Sequence, residues 1–202
     1  NDFRIELSTT SRYNRNMTQS GFNVDADSDS SNGFTFAFEN DVLSYSKSIW
    51  SFKSAFKSGD KLYEEIVKNT LLVSQKLGKT VTDTGYTEHY SINNSYVLIP
   101  AFRAAMEGKS VGTMEDPKKL GLPLPNWRIT YSGLRNIPLI NSFFSKLDVS
   151  HSYSSTYTGT GIQSNSDYYN TPDGYDSNDD TINPYTFSSI GYAETFSPLF
   201  GV

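Results

Sequence analysis

The sequence predicts an all-β fold, an antiparallel wall of about six strands carrying one or two short helical inserts. Three observations lead there. Apolar and polar residues alternate along several separate stretches, which gives a strand one greasy and one wet face. Only 36% of the 202 residues are hydrophobic, yet 14% are aromatic, with 14 Tyr and 13 Phe. A soluble core draws instead on Leu, Ile and Val, and a disordered chain is poor in rings. Finally, no apolar run approaches the roughly 18 residues of a transmembrane helix. A barrel strand needs only about 9–11 alternating residues, so the membrane stays open as a setting.

Along the chain, Phe3, Ile5, Leu7 and Tyr13 alternate with Arg4, Glu6, Ser8 and Arg12, predicting a strand over 3–13. The Ser/Asp/Asn-rich stretch 14–32 reads as a surface loop. Alternation returns at Phe34, Phe36 and Phe38, and again at Trp50, Phe52 and Phe56 opposite Lys47, Ser51, Lys53 and Lys57. Between Asp60 and Leu77 the spacing of Leu62, Ile66, Val73 and Leu77 suits one helical face, with Gly78 as a C′ residue. A second helix is expected over Val97–Met106, with Pro100 in its first turn and a stop near Gly108. Residues 116–125 read as a proline-rich connection. Strands follow at Trp127, Ile129 and Tyr131, at 143–159, and at 188–200, where Glu194 interrupts Ile190, Tyr192 and Phe196. The polar stretch 161–184 reads as a second water-facing loop. The organisation is thus strands over 3–57, a helical insert and connection over 58–125, and strands over 126–202, all within one unit.

Strands of this kind form a soluble sandwich, a small closed barrel or an arc of a large one. Transmembrane barrels begin at about eight strands, and open edges are not tolerated in hydrocarbon. A membrane-embedded sheet of this size must therefore continue into other segments. The sequence begins at Asn1 without Met or signal peptide and enters a strand pattern within three residues, which reads as a cut or processed product.

Other signals are weak. Asp25, Asp27 and Asp29 open like an EF-hand loop, but Ser30 stands where the Gly belongs and Phe36 where the Glu belongs. Asp173, Asp176, Asp179 and Asp180 form a second acidic loop without ligand spacing. Of the two histidines, His89 and His151, the latter sits on the apolar side of its strand, where a ring satisfied by neighbours is expected. No motif singles out catalytic carboxylates among the 22 acidic residues. A net charge of −5 leaves no basic footprint for nucleic acid, and the absence of Cys excludes disulfides and thiolate metal sites. No catalytic, cofactor-binding or metal-binding residue is expected.

The stretch Pro123–Leu134, PLPNWRITYSGL, is a different matter. It resembles a block of the SprA family (Sov in some members), the outer-membrane translocon of the Bacteroidetes type 9 secretion system. Four further blocks agree in order: Lys68–Asn69 with Val73–Leu77, Val97–Ala105 (VLIPAFRAA), the alternating strand Leu147–Tyr157, and Glu194–Val202 (ETFSPLFGV). They lie within Ser48–Val202, while the first 47 residues agree in character only. The resemblance implies part of a single giant antiparallel transmembrane β-barrel in the cell outer membrane, a channel that moves proteins from periplasm to cell surface and supports gliding motility. It implies as partners the remainder of the barrel, a small barrel of the PorV type, a plug protein, secreted cargo with a C-terminal signal, and outer-membrane lipid.

Under that reading Phe3, Ile5, Leu7, Trp127, Ile129, Leu147 and Val149 face lipid. Tyr13, Trp50, Tyr131, Tyr153 and Tyr157 form aromatic girdles. Arg4, Glu6, Arg128, Thr130, Lys146 and Asp148 face the lumen. The helical insert is expected to pack inside the lumen, at its periplasmic mouth, or simply over a sheet end. The competing reading is a soluble secreted β-sandwich adhesin or carbohydrate-binding domain; a hydrolase comes third.

Overall fold

A computed structural model describes residues 2–17, 41–51, 56–113, 121–143 and 147–197. Among the described residues six strands form one antiparallel, unclosed sheet: β1 (Phe3–Ser8), β2 (Ser11–Met17), β3 (Asp41–Ser48), β4 (Asn126–Tyr131), β5 (Val149–Ser164) and β6 (Tyr185–Ser197). The helices are α1 (Gly59–Leu77), α2 (Ser95–Glu107), α3 (Pro138–Phe143) and α4 (Ser166–Asn170), with a 3-10 turn at Gly133–Asn136.

The pairing is simpler than six strands suggest. β1 and β2 follow each other with only Thr9 and Thr10 between them, and they pair with β4 and β3 respectively. β5 then pairs with β4 through Val149–Tyr153 and with β3 through Thr156–Gln163. β3 and β4 therefore lie end to end in the same lane. On its other edge β5 pairs with β6 along Ser152–Ser164. The sheet is a meander of four long lanes, and the second lane is interrupted where residues 49–125 leave it and return.

The neck of this excursion is held tightly. Ile49 N–H donates to Ser155 O (3.1 Å) and Leu124 N–H to Ser48 O (2.9 Å), so the chain exits and re-enters within hydrogen-bonding reach of one position. Trp50 donates its indole N–H to Pro125 O (2.8 Å) and meets Trp127 edge-on at 6.2 Å. Beneath them Ser51 N–H donates to the Tyr153 hydroxyl (2.8 Å), and both hydroxyls donate to Glu194 Oε1, at 2.9 and 2.6 Å. The half-buried Glu194 carboxylate thus meets hydroxyl donors where it is shielded from water.

Several sequence expectations need correction. Trp50 lies on no strand, because the chain departs at the neck; β3, one step earlier, was hidden by Lys47 and Tyr45 sharing its inward parity. The strand expected over 3–13 is two strands, broken at Thr9–Thr10, where Ser48 N–H bonds Thr10 O (2.8 Å). Asn14–Met17 continue β2 rather than opening a loop. The strand expected over 143–159 begins at Val149, with Phe143 in α3, and runs to Ser164 past a bulge at Thr160–Gly161, where Gly161 takes φ +59°. The strand expected over 188–200 is β6, starting at Tyr185. Phe34, Phe36, Phe38, Phe52, Lys53 and Lys146 lie outside the described residues, as do the acids of the EF-hand-like stretch.

The two main helices form as their periodicity requires. They pack on each other through Val73, Val97, Ala101, Ala104 and Val111, a core separate from that of the sheet. Asn94 caps α2 by accepting from Tyr96 N–H (2.8 Å). Pro100 sits beyond the first turn, inside α2. Gly78 ends α1 in an extended conformation, not a left-handed one. It is needed for close approach: a Cβ there would stand 2.1 Å from Thr87 Oγ1. At Gly108 the left-handed cap does occur, with φ 61°.

The stretch 161–184 is not a free loop. Asp180 accepts from Ser91 N–H (2.7 Å) and Ser91 Oγ–H (2.5 Å), Asn94 donates to Thr181 O (3.0 Å), and His89 stacks on Tyr175 at 3.9 Å. Partners on the excursion order it, a non-local effect that composition does not carry.

Candidate functional site: a bare apolar face backed by hydroxyls

Strand register decides which side chains share a face, and directly opposed residues point the same way. Phe3 pairs with Tyr131, Ile5 with Ile129 and Leu7 with Trp127. Across β4 and β5, Tyr131 pairs with Val149, Ile129 with His151 and Trp127 with Tyr153; Tyr153 in turn pairs with Phe196 of β6. One continuous face is thus apolar across all four lanes. The opposite face carries Arg4 beside Thr130, Glu6 beside Arg128, and then Ser150, Ser152, Ser154, Thr156, Thr158 and Thr160 along β5.

The apolar face has two fates. Toward one end it is covered by the excursion. Leu43, Tyr45, Ile49, Tyr157 and Ile162 are buried there, with Tyr185, Phe187, Ile190 and Tyr192 packed against them. Phe102 of α2 meets Tyr192 edge-on at 5.5 Å, and the Arg103 guanidinium lies 5.4 Å from the centre of the Tyr157 ring. Tyr192 donates to Glu107 Oε1 (3.1 Å) and Tyr45 to the Tyr157 hydroxyl (2.8 Å). Glu107 is buried between Arg103 (2.8 Å) and Lys109 (2.6 Å). Burial raises its carboxyl pKa, but the bonds and charges of Lys109 and Arg103 outweigh that and hold it below its ordinary value.

Toward the other end nothing among the described residues covers the face. Phe3, Ile5 and Leu7 are 56%, 54% and 67% exposed. Phe196 is exposed too, with Phe56 edge-on against it at 5.8 Å. Trp127, Ile129 and Val149 are half-buried by their in-plane neighbours, and no second sheet lies over them. Beyond the strand ends, α3 carries Leu139 and Phe143, one helical turn apart and both largely exposed. Trp50, Trp127 and Tyr153 mark the boundary, with Trp127 stacked on Tyr153 at 4.7 Å.

The candidate residues sort accordingly. Phe3, Ile5, Leu7, Trp127, Ile129 and Val149 share the apolar face, while Leu147 is half-buried just before β5. Tyr13, Trp50 and Tyr131 are exposed, but Tyr153 and Tyr157 are buried under the neck and the excursion and cannot sit at a water rim. Arg4, Glu6, Arg128 and Thr130 share the polar face, with Arg4 and Glu6 paired at 2.6 Å. Asp148 is half-buried just before β5. Sequence reasoning missed Leu139, since six residues are too few to show a helical period, and it set Phe143 on the apolar side of a strand where the structure has it at the end of α3. It also expected the helical insert on the lumen side or at a sheet end, whereas its contacts with Tyr157 and Tyr192 place it on the apolar face.

His151 donates from Nδ1–H to Ser197 O at 2.7 Å, with Phe196 edge-on at 4.9 Å. No group of three or more His, Asp or Glu side chains suited to a metal ion occurs among the described residues. No helix of the described residues is long and apolar enough to cross a membrane, which says nothing of crossing by strands. Compared with known proteins, the chain matches no family model and no curated sequence.

Proposed function

We propose that this chain is a section of the wall of a large outer-membrane β-barrel of the SprA type, a protein-conducting channel. The observation that carries the reading is the bare apolar face opposed to a face of hydroxyls and charges in a single-layer sheet. Exposed apolar surface of this extent marks a membrane or partner contact. The six residues of β1 rise about 20 Å along the strand, or about 15 Å along the membrane normal at a barrel's usual tilt, and so fit within the roughly 25 Å apolar band of outer-membrane barrels.

The meander supports the same reading, because up-and-down neighbours are how barrel walls are wound. The outer edges of β1–β2 and of β6 pair with no other described strand. In a wall both edges continue into neighbouring strands, which removes the hazard of open backbone. The hydroxyl face then lines the conduit. Ser and Thr present donors and acceptors that water satisfies equally well, so a passing polypeptide is wetted and not held. A PorV-type small barrel, a plug protein and cargo with a C-terminal signal are the partners that the SprA resemblance brings. The adhesin reading would need a second layer over Ile5 and Ile129, and the described residues contain none.

Extraction tests the proposal. Purified with detergent, the protein is expected to be monodisperse, and on detergent removal it aggregates or enters lipid. A monodisperse species in plain buffer would overturn the assignment.

A further inference from the structure

Where the excursion meets the β5–β6 connection, a groove of about 770 Å³ opens between the start of α2 and residues 165–187. Its chemistry is uniform. Asn93, Asn178, Thr186 and Asp176 line it together with Tyr175 and Tyr185, and no Lys, Arg or His does. The side chains of Asn93 and Asn178 are exposed, so their amides offer donors and acceptors to a ligand. Tyr175 has one ring face stacked on His89, yet the residue is 39% exposed.

We propose that this groove binds a neutral oligosaccharide. Amides and carboxylates at a rigid surface match the paired hydroxyls of a sugar, and an exposed tyrosine ring offers a flat apolar surface to the C–H face of a pyranose. The acidic lining and the lack of cations select against phosphate, sulfate and anionic lipid headgroups. The scaffold is fixed before any ligand arrives. Asp180 is held by Ser91, Asn165 donates to Asn183 O (2.9 Å) and Asn183 donates to Ser95 Oγ (3.1 Å). A preorganised groove loses little freedom on binding. Volume agrees as well, since small-ligand sites span about 300–1,000 Å³.

The groove opens on the side of the sheet that carries the excursion, at the end away from the bare apolar face. If the chain is a barrel wall, as proposed above, that places it outside the barrel and beyond the hydrocarbon, on one side of the membrane. The sugar could come from a lipopolysaccharide glycan or equally from a soluble polysaccharide, and the chemistry recognised is the same.

Titrating the detergent-purified protein with labelled manno-, gluco- and galacto-oligosaccharides of a few units each tests the proposal. Saturable binding is expected with at least one of them, unaffected by inorganic phosphate. Asn93→Ala should weaken it about tenfold, the equivalent of roughly 1.4 kcal/mol, and Ser177→Trp, at an exposed lining position, should abolish it by filling the groove. Thermal unfolding of both variants checks that the fold persists. No saturable binding to any of the oligosaccharides, or binding that Ser177→Trp leaves intact, would overturn the proposal. Repeating the titration with lipopolysaccharide glycan and with soluble mannan separates the two sources. Because binding is read in detergent, its failure would leave the lipid-facing assignment of the bare face standing, and the reverse also holds.

Discussion

The two ends of the apolar face share one sheet and, as far as the bulge at Thr160–Gly161, one register and one strand parity, yet they are built from different side chains. At the bare end the positions on this face include Phe3, Ile5, Leu7, Trp127, Ile129 and Val149. At the covered end they include Tyr45, Lys47, Tyr157 and Tyr192 beside the apolar Leu43 and Ile190. The covered end needs polar tips because a helix pair with its own polar groups lies on it, and each hydroxyl finds a partner there: Tyr45 on Tyr157, Tyr192 on Glu107. The bare end has no protein over it among the described residues, and its hydroxyls are confined to its margins, Tyr131 at the outer end and Tyr153 at the neck. Alternation reports that a strand has two faces. The type of side chain at the greasy positions reports what lies against them.

That contrast is broken most severely by placing a charge on the bare end. Ile5 is more than half exposed, so in water Ile5→Arg would change stability by less than about 0.5 kcal/mol. Facing lipid near the midplane, the same substitution costs about 2–4 kcal/mol. Loss of the folded band on a heat-modifiability gel after insertion into lipid is the expected outcome, with Thr130→Arg on the opposite face unaffected.

At the covered end the largest effect should come from Arg103→Ala. It removes a charged bond to a buried carboxylate and the cation over Tyr157, a loss of about 2–3 kcal/mol with Lys109 still in place. Limited proteolysis within residues 56–113 should accelerate, while Ile5→Arg should leave that rate alone. Acid probes the same contact. Because Glu107 is held below its ordinary carboxyl value of 4.5, its contribution is complete above that value and is lost as pH falls through the lowered one. Amide exchange in α2 should therefore rise below about pH 4.5 in the native protein, and Glu107→Gln should flatten this dependence.

Smaller effects sharpen the picture. Tyr157→Phe deletes one buried hydroxyl pair and should cost about 1 kcal/mol, read as a shift in unfolding midpoint. Asp148→Asn should be nearly silent, within about 0.5 kcal/mol.

How much of this the sequence carries depends on how local the cause is. Face assignment is local: parity alone puts Phe3, Ile5 and Leu7 opposite Arg4 and Glu6, and the register agrees. The helix over 59–77 is local too. The interruption of a lane is not, because nothing in Trp50 or Pro125 announces that β3 and β4 are collinear across the intervening residues. Nor is the order of 161–184, which rests on Ser91, Asn94 and His89 of a distant segment. Tyr153 and Tyr157 looked like rim residues because a tyrosine at an interface and a tyrosine under a helix have the same pattern.

The central claim is that the bare end faces hydrocarbon and the hydroxyl face faces water. The chain has no cysteine, so single Cys substitutions at Ile5, Ile129, Arg128 and Thr130 can each carry one spin label in the lipid-reconstituted protein. The account predicts that labels at 5 and 129 collide with oxygen and not with a water-soluble nickel chelate, and that labels at 128 and 130 do the reverse. Labels at 5 and 129 more accessible to the chelate than to oxygen would contradict it.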